Sequence, residues 1–402
     1  MAAISGMGTT FNLPNYANEL FAITPEDTPL LSAIGGLTGG GMTTGTEFEW
    51  QTFDLRDPGQ NTAVEGAAAP TATGRVRANV RNVAQIHQSK VSVSYTKQAA
   101  FGMLATPGAA PFRGVDGSNP VTNELDWQIA QELKSMALDV NWSFINGQFA
   151  NPTTNATARK TRGLLAAITT NRVAKGTSVT GATSATDTVT STAHGLVDGN
   201  KIVFTATGAA TGIIAGRMYF VDQLTTDTFK VSSSSGGAAI TLGTATGLAF
   251  TIPTATALTT GVVSDLLQLV FDNGGISEQE TATMVVNSSQ KRAVTSAFAE
   301  AYGKAVLITE DNRTVGGVNV QTIETDFGRL NIMMDRHVPQ DTIIVASLEQ
   351  LDAVFLNIPG KGVLFDEPLA KTGASDESQL YGEIGLKYGS ERSHGVLTGL
   401  AV

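Results

Sequence analysis

The chain has no cysteine among its 402 residues. That removes disulfides, thiolate nucleophiles and cysteine-ligated metals together, and it fits a reducing compartment. Charge is scarce as well. Asp, Glu, Lys and Arg make up 15% of the residues, against about a quarter in ordinary globular chains. A surface so poor in charge invites association, so much of it is expected to be interface. What charge there is leans acidic, with 36 Asp and Glu against 26 Lys and Arg and a formal net charge of -10. Proteins that grip nucleic acid do so through clustered Lys and Arg that displace counterions, and this balance speaks against tight binding of that kind. The amino terminus, MAAISGMGTTFNLPNYANE, lacks the basic start and apolar run of a signal peptide. No stretch approaches the ~18 uninterrupted apolar residues of a spanning helix.

Signatures of chemistry are missing too. There is no Walker A loop, no dinucleotide fingerprint behind a strand and no His-Glu-x-x-His pair. The run Gly39-Gly40-Gly41 has no strand before it and no Lys-Ser or Lys-Thr after it, and it reads as a flexible connector. The four histidines, at 87, 194, 337 and 394, are not at metal-ligand spacing. His337 follows Asp335 and Arg336, and His394 lies beside Glu391 and Arg392. Both read as surface salt-bridge clusters. The pairs Glu47/Glu49, Glu278/Glu280 and Asp376/Glu377 are near neighbours on a strand or loop, whereas acid–base work needs two carboxyls converging on a cleft. No Gly-x-Ser-x-Gly elbow occurs. The expectation is no catalytic residue, no cofactor and no metal.

What is present is a sequence of distinct parts. Residues 1–45 carry no sustained period, and 22–34, AITPEDTPLLSAI, places a short apolar patch behind two prolines. A terminal segment orders only when something ties it down, so this one reads as an arm that docks. Thr46-Glu-Phe-Glu-Trp-Gln-Thr-Phe53 alternates Phe48 and Trp50 with polar residues, the period of a half-buried strand. After the small, flexible run 59–74 the chain returns through Arg75–Lys97, where Val91, Val93 and Tyr95 alternate with serines. Together they predict a long two-stranded hairpin, which is marginal in water unless it leans on something. Arg75, Arg77 and Arg81 share one side of the return strand. They suit a solvated edge or a salt-bridge row against an acidic neighbour, and with Phe48 and Trp50 they are the candidate contacts between subunits.

A helix is predicted over 120–146, with Asn119 as cap and Pro120 at the first position. Leu125, Ile129, Leu133, Met136, Val140 and Phe144 form its apolar stripe, and Gly147 stops it after about 40 Å. Between 175 and 256 Thr, Ser, Gly and Ala take over, charges almost vanish, and short runs such as Lys201-Ile-Val-Phe-Thr205 and Thr228-Phe-Lys-Val-Ser232 alternate with turns. This predicts a small all-β module inserted between mixed segments. Helices over 264–273 and from Ser288, and strands over 283–287, 318–325, 330–334 and 342–346, restore an α/β pattern. Strand-rich 379–400 closes the chain.

This order of parts resembles the major capsid proteins of tailed bacteriophages, which share the Hong Kong 97-like fold. The similarity is strongest in Ala22-Ile-Thr-Pro-Glu-Asp-Thr-Pro-Leu-Leu-Ser32, Thr46-Glu-Phe-Glu-Trp-Gln51 and 383–400 with Ser393-His394-Gly395-Val396-Leu397. In the inserted module, His194-Gly195-Leu196 and Asp227-Thr-Phe-Lys230 are similar to small modules of phage head and tail proteins. The resemblance implies an α+β capsid fold. Its parts would be an N-terminal arm (1–45), an extended hairpin loop (46–98), a peripheral domain with the spine helix (99–174), the inserted β domain (175–256), an axial domain (257–365) and C-terminal strands returning to the peripheral domain (366–402). It further implies hexamers and pentamers of an icosahedral head around double-stranded DNA, assembled in the host bacterial cytoplasm, with no membrane. The partners would be a portal, a decoration protein and packaged DNA held without sequence specificity. An acidic lining would let that DNA slide. Because the chain reaches its arm almost at once after Met1, a separate scaffolding protein is expected, and nothing marks Lys90 or Lys97 for cross-linking. A tail or fibre protein that binds a receptor, or an enzyme with an unrecognised site, are the rival readings.

Overall fold

The computed structural model describes residues 23–37, 39–56, 58–99, 123–276, 282–301, 321–370 and 373–402. The chain begins with α1 (Pro29–Ala33), β1 (Gly41–Thr43), β2 (Glu47–Phe53), β3 (Arg77–Val83), β4 (Gln85–Ser94), α2 (Tyr95–Ala99) and the long α3 (Glu124–Asn146). After α4 (Leu164–Ala167) and β5 (Arg172–Ala174) come β6 (Thr177–Ala185), β7 (Thr188–Thr190), β8 (Lys201–Ala206), β9 (Met218–Gln223), β10 (Thr228–Ser232) and β11 (Ala245–Ile252). Next are α5 (Thr260–Asp272), β12 (Ala282–Val286), α6 (Ser288–Ala301), β13 (Thr322–Thr325), β14 (Gly328–Met334) and β15 (Ile343–Ser347). The chain closes with β16 (Asp352–Leu356), β17 (Leu364–Pro368), β18 (Ser375–Lys387) and β19 (Gly395–Thr398).

Helix α3 is set by its cap. The Asn123 carboxamide oxygen accepts the N–H groups of Leu125 and Asp126, and Glu124 and Asp126 complement the positive end of the helix. This corrects the expected start: the cap is Asn123, while Asn119 and Pro120 lie outside the described residues. Only the C-terminal half of the apolar stripe is covered. Met136, Val140 and Phe144 are buried, Leu125 and Ile129 are half-buried, and Leu133 faces out.

A six-stranded sheet in the order β13-β14-β12-β15-β19-β5 forms the centre. β12 and β15 are buried at every position. A strand covered on both faces reads as an unbroken apolar run, which is why Ala-Thr-Met-Val-Val and Ile-Ile-Val-Ala-Ser show little alternation. Met284, Val286, Ile343 and Val345 pack under α5 and α6. Val285, Ile344 and Val396 face the other way, into the core shared with Val140, Phe144 and the arm residues Leu30 and Leu31. The described part of the arm therefore docks on the chain's own body.

The second sheet is built on β18, which pairs with β4, β16 and β17, and β1 adds to β16 in parallel. Two expectations change here. The return strand of the hairpin is not continuous: 77–83 pairs with β2, whereas 85–94 leaves for β18 at 375–384, and Tyr95 opens α2 instead of extending the strand. Ala84 is where the partner switches: from Gln85 onward the strand pairs edge to edge with the longer β18. The Gly39-Gly40-Gly41 run is not a loose connector either. Gly40 has φ +140°, and a Cβ there would lie 2.1 Å from the Ala353 carbonyl oxygen, so glycine lets β1 approach β16.

Residues 177–252 close into a barrel in the order β10-β7-β6-β11-β8-β9. Phe204, Tyr219, Phe229 and Phe250 fill it edge to face, with centroids 5.5–6.1 Å apart. Its two ends meet at one place: the Lys175 N–H donates to the Thr398 carbonyl and the Thr254 N–H to the Gly399 carbonyl, both at 2.9 Å.

Candidate interaction site at the hairpin

The ribbon of β2 and β3 runs in register from Glu47 opposite Val83 to Phe53 opposite Arg77. Alternation places Phe48, Trp50, Val80 and Asn82 on one face, and that face meets the far end of β18. The Trp50 indole N–H donates to the Gly389 carbonyl at 2.7 Å, and its ring stands edge-on to Tyr388 at 4.9 Å. Phe48 lies over Gly385, where a Cβ would come within 2.7 Å of both the Phe48 ring and the Val83 carbonyl oxygen. Asn82 is fully buried and uses its whole carboxamide. It donates to the carbonyls of Leu386 (2.6 Å) and Arg162 (3.1 Å) and accepts from the N–H of Val83 (2.9 Å) and Arg162 (2.8 Å). The Arg162 guanidinium reaches the Tyr388 hydroxyl at 3.1 Å and stacks over Phe149 at 4.5 Å.

The opposite face touches the body only near its base, where the Asn151 side chain donates to Glu47 and the Arg81 guanidinium lies 6.0 Å from the Phe149 ring centre, and the tip is exposed. Arg81 pairs with Glu47 across the ribbon at 3.1 Å, and the Asn79 side chain donates to Glu49. Arg75 and Arg77 are exposed and make no ion pair among the described residues. Every described residue from 53 to 79 is exposed. These include Phe53, Leu55, Val64 and Val76, at 68%, 72%, 80% and 87%. Of the five residues selected from sequence, Phe48 and Trp50 thus root the ribbon on its own chain, while Arg75, Arg77 and Arg81 face solvent. Sequence reasoning missed Asn82, Arg162, Tyr388 and Gly385. The one available signal was an asparagine, a residue depleted in strands, inside a predicted strand.

The remaining polar clusters are structural. His394 is completely buried. Its Nδ1 accepts the Ser347 N–H and its Nε2 donates to the Tyr388 carbonyl, and burial holds it below the usual imidazole range. The expected surface cluster is therefore a neutral core contact. His337 likewise sits in a partly buried network: Asp335 is buried, and Asn141 bridges Asp335 and His337 at 2.8 Å each while accepting the Leu31 N–H of the arm. Burial alone would raise the Asp335 carboxyl, but hydrogen bonds from His337 and Asn141 outweigh it and hold it below its ordinary value. His87 lines a cavity of about 330 Å³ with Glu132 and Asp139, and burial pushes its pKa down to about 4. Asp139 is raised, first by burial and then by Glu132. Glu377 pairs with Lys90 at 2.8 Å, whereas Glu278 and Glu280 lie outside the described residues. Among the described residues no three His, Asp or Glu side chains converge on a metal position, and no helix is long and apolar enough to cross a membrane.

The ribbon is thus rooted at one end and exposed over 53–79, on a body whose described polar clusters serve packing. The family model described as SU10 major capsid protein matches residues 3–401, and the chain belongs to that family. The fold is similar to the capsid of cyanophage A-1(L), with a TM-score of 0.56 at 11% identity over 98% of each chain. It is also similar to the capsid of an empty GTA particle, with a TM-score of 0.51 at 11% identity over 100% of this chain and 99% of that one. No curated protein matches the chain. The chain is thus a major capsid protein of a tailed phage, a structural component of the virion shell and not an enzyme. Its mixed α+β architecture is of the Hong Kong 97-like kind.

Proposed function

We propose that the chain forms hexamers and pentamers of an icosahedral head enclosing double-stranded DNA, with the ribbon of each subunit lying on its neighbour. The observation that carries this reading is the exposure of every described residue from 53 to 79. A segment that buries nothing gains nothing to offset its ordering entropy, and four large apolar side chains on it find cover only on another molecule. Arg75, Arg77 and Arg81 face outward for acidic groups of the neighbour, with Phe48 and Trp50 holding the strands behind them. In this reading 1–45 is the arm, 46–98 the extended loop, 99–174 the peripheral domain, 257–365 the axial domain and 366–402 the returning strands. The barrel is a domain inserted over 175–256 that projects from the shell or braces adjacent subunits. Its own closed core and its adjacent ends support that role. A separate scaffolding protein, a portal and a decoration protein complete the set of partners, and the net charge of -10 suits a lining past which DNA slides.

The test is assembly. Negative-stain electron microscopy of the protein co-expressed with candidate scaffolding proteins should show shells, rings or sheets. Replacing 58–74 by a short Gly-Ser turn should leave only unassembled subunits. Normal shells from that deletion would remove the ribbon from the interface. A protein that stays monomeric under every condition would remove the reading as a whole.

A further inference from the structure

We infer that Asn82 is a positioning residue that aims the ribbon before any neighbour is present, an inference that rests on the ribbon being the arm that grips the neighbour. A two-stranded ribbon has no sheet to set its direction, so its direction must come from its root. On the rooted face three contacts fall on one short stretch of chain, Phe48 on Gly385, Asn82 on the Leu386 carbonyl and Trp50 on the Gly389 carbonyl, while Glu47 and Asp54 add exposed polar contacts to Asn151 and Arg392. Of these, Asn82 sits where the chain changes partner, one residue before Val83 ends the ribbon and three before Gln85 begins the pairing with β18. It also ties in a third segment, since both the N–H and the carbonyl of Arg162 bond to it. A carboxamide offers two donors and an acceptor oxygen with two lone pairs, and the four backbone groups around Asn82 ask for two of each. Aspartate only accepts, serine has a single donor, and glutamine is one methylene too long for a site with no exposed surface. The residue therefore joins ribbon, sheet and the 162 segment at a fixed angle.

The absence of cysteine makes the test direct. Spin labels at Ala78→Cys on the ribbon and Gln268→Cys on the exposed side of α5 report the ribbon's direction by pulsed electron resonance in the full-length protein before shell formation. With Asn82 in place a single narrow distance distribution is expected. Asn82→Ala, and Asn82→Asp as the variant that keeps both accepted bonds, should broaden it at least twofold, while amide exchange over 343–347 stays at the parent level and shows that the body is folded. Arg81→Ala, which removes the ion pair with Glu47 and the contact with the Phe149 ring but none of the Asn82 bonds, should leave it narrow. An unchanged distribution in both Asn82 variants would overturn the inference whatever the shells look like. Broadening accompanied by a severalfold loss of shells supports it. Broadening with normal shell yield would also overturn the role in assembly, and would place the failure in the reading of the ribbon as a gripping arm instead of in the geometry of its root.

Discussion

Trp50 joins the ribbon to the body through a ring and a single polar atom, and two substitutions separate these contributions. Trp50→Phe keeps an aromatic ring against Tyr388 but leaves the Gly389 carbonyl without its donor, which should cost about 1 kcal/mol. Trp50→Ala also empties the volume of the ring and should cost about 3 kcal/mol. Denaturant unfolding checks the order, and equal losses would show that the ring contributes nothing. His87 carries a pH dependence of definite sign. Its folded value of about 4 lies below its ordinary 6.5, so the unfolded chain takes up the proton first. The stability linked to His87 is complete above pH 6.5 and falls as the pH drops towards 4. Asp139, raised by burial and by Glu132 in the same cavity, takes up its proton in the folded state and softens the fall. His87→Gln should flatten the stability curve across that interval by up to ~3 kcal/mol, and an unaltered slope would clear His87 of the effect.

At the level of elements, the ribbon and the long helix depend on single positions that act in opposite ways. Gly385 matters for what it lacks. Gly385→Val would drive a side chain into the Phe48 ring and the Val83 carbonyl, each 2.7 Å from the Cβ position. Amide exchange over 47–53 and 77–83 should then speed up while 343–347 stays protected. Equal protection in both would mean that the ribbon is seated by other contacts. Asn123 matters for what it supplies. Asn123→Ala removes the acceptor for two helix N–H groups and should cost about 1 kcal/mol, measured as a shift in the unfolding midpoint. The N-terminal half of the α3 stripe is only partly covered among the described residues, with Leu125 and Ile129 half-buried and Leu133 facing out.

At the scale of the molecule, the described residues divide their burial among three clusters: one under the arm and α3, one under α5 and α6, and one inside the barrel. Because residues 175 and 254 both bond to the 398–399 stretch, removing 177–252 and bridging the gap with a short Gly-Ser linker should let the remaining chain fold. Calorimetry should show the body's transition within a few degrees of the parent value and lose the barrel's contribution. Collapse of the body transition would mean that the barrel supports the fold. If the shortened chain folds and shells still form with normal yield and stability, the bracing role proposed for the barrel falls away.

Local chemistry was legible along the chain: the alternation of Phe48 and Trp50, the stripe of α3, the turn-punctuated runs of the barrel, and the order of parts that resembles phage capsid proteins. Period and propensity are written in neighbouring residues, so they need no tertiary context. What needed the tertiary structure were choices between partners distant in sequence. The return strand leaves the ribbon at Ala84 to pair with β18, some 290 positions further on, a partner that no local period names. His394 looks like a surface charge beside Glu391, and only packing takes it inside, while His337 stays partly exposed on a buried Asp335. Asn82 meets Arg162 and Leu386 across 80 and 304 positions, a coincidence of four backbone groups that no local pattern encodes. The sequence by itself determined which segments could be strand, helix or loop and that the surface would seek company. The tertiary structure alone decided which face of the ribbon is rooted and which is left open, because burial is a property of the whole packed chain.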